Sequence, residues 1–172
     1  RISNERSSRS RWPVLDRGRP RSLLPNAAEH FEEIAGCGNK FVYIPNGLDD
    51  DAIKHESLPI EMENKMPKDK FVIGYTGTIG LANALEFFVD AAGLLKNDNR
   101  FHFVIIGEGY LKQELIEKSK TFCNITFFSK IRKNQVSAAI KHFDVCFVGR
   151  NDSPLFKHGV SANKYFDYML AG

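Results

Sequence analysis

The chain has 172 residues, of which 42% are hydrophobic and 26% charged, with a formal net charge of +3. These are ordinary values for about one globular domain, and they exclude collagen-like, low-complexity and wholly disordered classes. No run of ~18 apolar residues is present, which excludes a membrane-spanning helix. The three cysteines, Cys37, Cys123 and Cys146, are far apart and form no C-x-x-C. That argues against a disulfide framework or a cysteine-rich zinc site and for a reducing, cytoplasmic setting.

The first twenty-one residues hold seven arginines against Glu5 and Asp16. Their surplus of five exceeds the +3 of the chain, so the remainder carries −2, and the basic character belongs to residues 1–21 alone. An Arg/Ser-rich stretch with few apolar residues reads as a flexible leader, with an RNA- or membrane-binding arm as the alternative. The net charge therefore gives no reason to expect nucleic-acid binding by the rest.

Residues 22–172 read as one further domain, cut short at its C-terminal end. Leu23 to Ile34 predicts a helix with Pro25 in its first turn. Phe41–Ile44 predicts a strand, stopped by Pro45-Asn46-Gly47. Residues 50–70 read as a short helix and a polar connector. Asp49-Asp50-Asp51 reads as helix N-terminal acids rather than a metal site. Four short apolar, β-branched runs then follow at Phe71–Thr76, Phe101–Ile106, Ile125–Phe128 and Asp144–Val148. Near-continuous apolar strands indicate burial on both faces, as in a parallel sheet.

Helical patterns separate these runs. Leu85, Phe88, Val89, Ala92 and Leu95 share one face, and Asn83 with Glu86 predicts an N-cap and capping box. Further helices are predicted over residues 110–120, 133–142 and 161–170, the last N-capped by Ser161. The order is that of an α/β, Rossmann-like, doubly wound parallel sheet with helices on both faces, whose ligands sit at the carboxyl ends of the strands.

Two segments lie where phosphates would be expected. Gly77-Thr78-Ile79-Gly80 follows the first long strand, and its small residues let the backbone approach an anion. A tight turn without a ligand explains it as well, since it is not G-x-G-x-x-G. The second is His158-Gly159-Val160-Ser161-Ala162-Asn163-Lys164, entering the last helix. Lys164 and Asp167 share a helix face, so the cation can hold a phosphate and the carboxylate can accept ribose hydroxyls. The same spacing also suits an ordinary surface ion pair. Gly107-Glu108-Gly109 reads as a turn. His30, His55, His102, His142 and His158 are scattered, and no nucleophile–histidine pairing is evident.

Four segments resemble retaining glycosyltransferases of family 4. Phe41 to Asp49 resembles their Pro-Asn-Gly-x-Asp segment, and Gly74 to Gly80 with Ala91, Ala92 and Leu95 their first sugar-nucleotide strand, loop and helix. Val104 to Gly109 with Leu115 is similar to a third segment. Ser161 to Gly172 is similar to the Ser-x-x-Lys helix of the bacterial surface-polysaccharide branch. The resemblance covers about residues 22–172, in the family's order.

It implies one half of a GT-B fold: the C-terminal, donor-binding domain of an enzyme that uses a UDP- or GDP-sugar without metal or cofactor. The missing N-terminal domain, a glycan or lipid-linked acceptor and the inner membrane face would be its partners; nucleic acid would not. By that resemblance Gly77, Thr78 and Gly80 face the diphosphate, as do the amides of Gly159, Val160 and Ser161. Lys164 neutralises the diphosphate, Asp167 bonds ribose as the second glutamate of E-x7-E, and the Ile131 backbone lies near the base. Lys164 and Asp167 are thus the catalytic candidates. The sequence departs from the family at four points: the first glutamate falls on Gly159, the loop's Arg and Lys fall on Thr78 and Asn83, and Asp167 is one methylene shorter than the second glutamate. Two other readings stay open: another GT-B enzyme such as a sugar-nucleotide epimerase, and a non-catalytic binding or interaction module.

Overall fold

The longest apolar runs of the sequence become the middle of a parallel sheet. The computed structural model describes residues 19–47 and 56–171. In chain order its elements are β1 (Arg21–Ser22), α1 (Ala28–Ala35), β2 (Val42–Tyr43), α2 (Ile60–Lys65), β3 (Phe71–Thr76), α3 (Leu85–Leu94), β4 (Phe101–Ile106), α4 (Lys112–Lys118), β5 (Ile125–Phe128), α5 (Val136–Ile140), β6 (Val145–Cys146) and α6 (Asn163–Leu170). Among the described residues no helix is long and apolar enough to cross a membrane.

The sequence reading places residues 22–172 in one domain; the residues group into two compact units. Of the described residues, one unit comprises those up to Asn46 with Ser153–Ser161, and the other those from Gly47 to Asp152 with those from Ala162. Of the expected leader, residues 1–18 lie outside the described residues, as do Asp49-Asp50-Asp51 and His55. Its last residue, Arg21, pairs with Val42 in the parallel β1–β2 ladder.

In the larger unit the strand order is β5-β4-β3-β6, all parallel. Alternation along the strands splits the core in two, because successive side chains point to opposite faces. Tyr75, Phe103 and Ile105 pack with Leu85, Phe88, Val89 and Ala92 of α3 and Leu115 of α4. Val72, Val104 and Ile106 pack with Met62 of α2, Ala139 of α5 and Phe128. Helices therefore cover both faces, and the α/β doubly wound expectation holds. Gly74 lets Phe143 lie flat on β3; an added Cβ there would stand 2.1 Å from that ring.

Both expected N-caps fall elsewhere, for one reason. Asn83 ends a short 3-10 turn over Leu81–Asn83, and α3 begins after Ala84, which takes a left-handed backbone with φ 48°. α6 begins after Ala162, not Ser161. In each case the polar side chain has a distant partner. Asn83 Nδ2 donates to the Thr78 carbonyl at 3.0 Å. Ser161 Oγ accepts from Asn46 Nδ2 at 2.9 Å.

In the smaller unit, Phe31 of α1 stacks on Phe41 at 5.8 Å. The Asn26 amide donates to the His158 carbonyl at 3.0 Å. Gly159, with φ 103°, lies against Pro25; a Cβ on it would stand 2.6 Å from the Pro25 ring.

Candidate functional site

The carboxyl ends of β3, β4 and β5 open into a cleft of about 440 Å³ in the larger unit. Parallel strands leave their last groups unpaired at this end, which is where doubly wound sheets take ligands. Its floor is two loops locked together through backbone. The Gly77 amide donates to the Ile106 carbonyl at 2.9 Å, and the Ile79 amide to the Glu108 carbonyl at 2.9 Å. A Cβ on Gly107 would lie 1.8 Å from the Gly77 oxygen, and one on Gly109 2.0 Å from the Ile79 oxygen. Gly107 and Gly109 are thus required by contact, beyond the turn the sequence assigns them. Gly77 itself holds φ 141°, a conformation that favours glycine.

Five of the expected residues meet in this cleft: Gly77, Thr78, Ile131, Lys164 and Asp167. Gly80 is buried beneath the Tyr110 ring and does not line it. Gly159, Val160 and Ser161 belong to the smaller unit.

Lys164 is half-buried at the start of α6. Its ammonium donates to Tyr75 Oη and to Asn83 Oδ1, both at 3.0 Å, and lies 4.2 Å from the centre of the Tyr75 ring. Tyr75 spends its own proton on the Thr78 carbonyl at 2.7 Å, so its lone pairs face the lysine. Burial holds the Lys164 ammonium down to about 8. Burial, with Tyr168 nearby, pushes the Tyr75 hydroxyl well up, so it stays a neutral acceptor. Two of three ammonium N–H groups are thereby engaged, which leaves one for a ligand.

One turn on, Tyr168 accepts from the Thr76 amide at 3.0 Å and pins α6 to the tip of β3. Between them, Asp167 pairs with Lys133. Outside the lining, Lys112 ties the loop after β4 to the end of β5. It donates to the Gly107 carbonyl at 3.0 Å, the Phe128 carbonyl at 3.1 Å and Glu108 at 2.7 Å. The Lys112 hydrogen bond holds the Glu108 carboxyl below its usual range.

The sequence reading missed Tyr75, Lys130, Lys133 and Tyr168 and assigned Asn83 to a helix cap. Lys130 and Lys133 carry a signal: with Arg132 they make three cations directly after a strand that ends at the ligand edge. Tyr75 sits inside an apolar strand pattern, and nothing local marks it as a partner for a lysine 89 positions away. Among the described residues no group of three His, Cys, Asp or Glu side chains is placed to hold a metal ion.

No protein-family model matches the chain, and neither does any curated protein sequence. Solved structures do. WaaG, a glycosyltransferase involved in lipopolysaccharide biosynthesis, superposes with a TM-score of 0.64 at 16% identity. HepE of Anabaena, crystallised with UDP and glucose, gives 0.64 at 12%. Each match covers 88% of this chain and 41% of the other. The pneumococcal O-GlcNAc transferase GtfA, in complex with UDP and GlcNAc, gives 0.56 at 16%, over 84% of this chain and 26% of that one. The chain therefore spans about two fifths or less of the proteins it resembles in structure, and its Rossmann-like α/β fold is the one found in GT-B glycosyltransferases.

Proposed function

We propose that the chain is the donor-binding part of a glycosyltransferase that takes a hexosyl or N-acetylhexosaminyl group from a UDP- or GDP-sugar. The observation that carries this reading is the desolvated Lys164 ammonium, held by Tyr75 and Asn83 in a cleft at the strand tips. When the bond between the sugar and the diphosphate breaks, its electrons go to the diphosphate oxygen. A fixed cation of low hydration meets that charge without reorganising, which lowers the barrier. In this reading Lys164 does the neutralising that a metal ion would otherwise do. Gly77 and Thr78 bring backbone close to the phosphates, Asp167 accepts from ribose, and Ile131 lies beside the base.

The retaining course, the missing acceptor half, a glycan or lipid-linked acceptor and work at the cytoplasmic face of a membrane come from the resemblance of the four segments. Solved neighbours crystallised with UDP support the donor class. The test is titration of UDP, GDP and ADP into the chain and into Lys164→Ala. Binding of UDP or GDP that Lys164→Ala weakens at least tenfold supports the donor reading, by the size of a charge-assisted contact of about 1.5–3 kcal/mol. Binding of none favours an interaction module, the reading to which Gly159 in place of the family's glutamate also points.

A further inference from the structure

Beyond Lys164, the cations of the cleft do not stand where the resemblance puts them. The loop after β3 offers Thr78 and Asn83, both neutral, and both polar ends of Asn83 are engaged, by Lys164 and by the Thr78 carbonyl. Yet three lysines line the cleft: Lys164 from α6, and Lys130 and Lys133 from the connection after β5. Two carboxylates face them, Glu108 and Asp167. Glu108 pairs with Lys112, which is not part of the lining. Asp167 pairs with Lys133.

That last pair has unequal ends. The Lys133 side chain is 58% exposed and Asp167 only 16%. An exposed lysine gains little from a carboxylate in water, and its four-carbon stem swings at small cost. Asp167 lies between Lys164 and Tyr168 on a helix that both tie to β3, so it stays in place.

We infer that Lys130 and Lys133 form the cationic wall that receives the phosphates of the nucleotide, in place of the charges absent from the first loop. Lys133 holds Asp167 while the cleft is empty. On binding it goes over to a phosphate and frees Asp167 for the ribose hydroxyls. This rests on the donor reading above and assigns that site two residues beyond it.

The experiment is an NMR-monitored titration of the chain with uridine, UDP, guanosine, GDP and inorganic pyrophosphate, at low and high salt. It is run on the wild type, Lys130→Gln, Lys133→Gln and Lys133→Arg. Each Gln variant is expected to shrink the preference for the diphosphate over its nucleoside by about threefold to tenfold, the range between exposed and charge-assisted contacts. The salt dependence flattens with it, and Lys133→Arg keeps most of the preference. An unchanged preference in both Gln variants overturns the inference, as does an equal loss for nucleoside and diphosphate, which would mark a merely structural role. Pyrophosphate binding that needs Lys133, with no nucleotide bound, upholds the lysine wall and sinks the donor reading. Pyrophosphate binding indifferent to Lys133, or no binding of any probe, overturns the inference.

Discussion

Lys164 pays for its position in solvation. Its ammonium is held down to about 8, from an ordinary value of 10.5, by burial. Between those values the unfolded chain binds more protons than the folded one, so stability rises with pH across that window. The relief is complete above about 10.5 and is lost as pH falls through about 8. Lys164→Met is expected to abolish this slope, which denaturant melts from pH 7 to 10.5 on both proteins would read. Ligand binding runs the other way. An anion beside Lys164 favours the protonated form, so nucleotide affinity is expected to fall as pH rises past about 8, by at most about tenfold per pH unit. Calorimetry in buffers of different ionisation heat should then record proton uptake on binding at pH 8 to 9. Flat affinity through that range would mean that Lys164 does not touch the anion.

Asn83 and Gly159 show that the departures from the pattern of the resembled family are built into the structure. Asn83→Lys, which introduces the charge that family carries there, removes an acceptor from Lys164 and sets a like charge against it. It is expected to weaken nucleotide binding, where a simple gain of charge would strengthen it. Gly159→Glu places a side chain at φ 103° and 2.6 Å from Pro25. Left-handed strain alone costs of order 1–3 kcal/mol, so a lowered melting temperature is expected with no gain in affinity.

At the level of elements, what was legible in the sequence was what depends on short-range pattern. β3 and β4 stand out because both of their faces are buried, which leaves near-continuous apolar runs at Phe71–Thr76 and Phe101–Ile106. α3 is legible from its apolar face at Leu85, Phe88, Val89 and Ala92. β6 is shorter than the run 144–148 because, among the described residues, it pairs with β3 alone, through Ile73↔Val145 and Gly74↔Cys146. The helix starts were misplaced because Asn83 and Ser161 have partners far along the chain, and capping propensity yields to such tertiary bonds. The same holds for the site. Gly77, Thr78, Lys164 and Asp167 follow from strand and helix positions, whereas the Lys133–Asp167 and Lys164–Tyr75 contacts join residues 34 and 89 positions apart. The two strand-end loops are likewise one device, since Gly107 and Gly77 touch through backbone that cannot swing aside. Gly107→Ala is expected to cost at least the ~1–3 kcal/mol of overpacking and to weaken nucleotide binding, because the Gly77 loop must move with it. Chemical melts and UDP titration on the same variant check both effects.

At the scale of the molecule, the proposed function gives the cleft half of what a transfer needs. In that reading Lys164 is the cation for a leaving group and Asp167 the carboxylate for a ribose, and both line the cleft within one turn of the same helix. Transfer also requires an acceptor hydroxyl held against the sugar and water kept from it. Orienting a second substrate accounts for a large share of enzymatic acceleration, with effective molarities on the order of 10⁵ M or more. The chain spans 41% of the length of WaaG and of HepE. Among the described residues the lining of the 440 Å³ cleft comes from β3, β4 and the loops that follow them, the connection after β5, α5 and α6, all of which the donor reading assigns to the nucleotide. The isolated chain is therefore expected to bind nucleotide weakly and to transfer no sugar from UDP- or GDP-sugars to glycan or lipid-linked acceptors. Slow release of free sugar to water is the most that an unshielded donor site would give. A radiolabelled-donor assay separates the products, and transfer to any acceptor by this chain alone would show that the acceptor site lies within it.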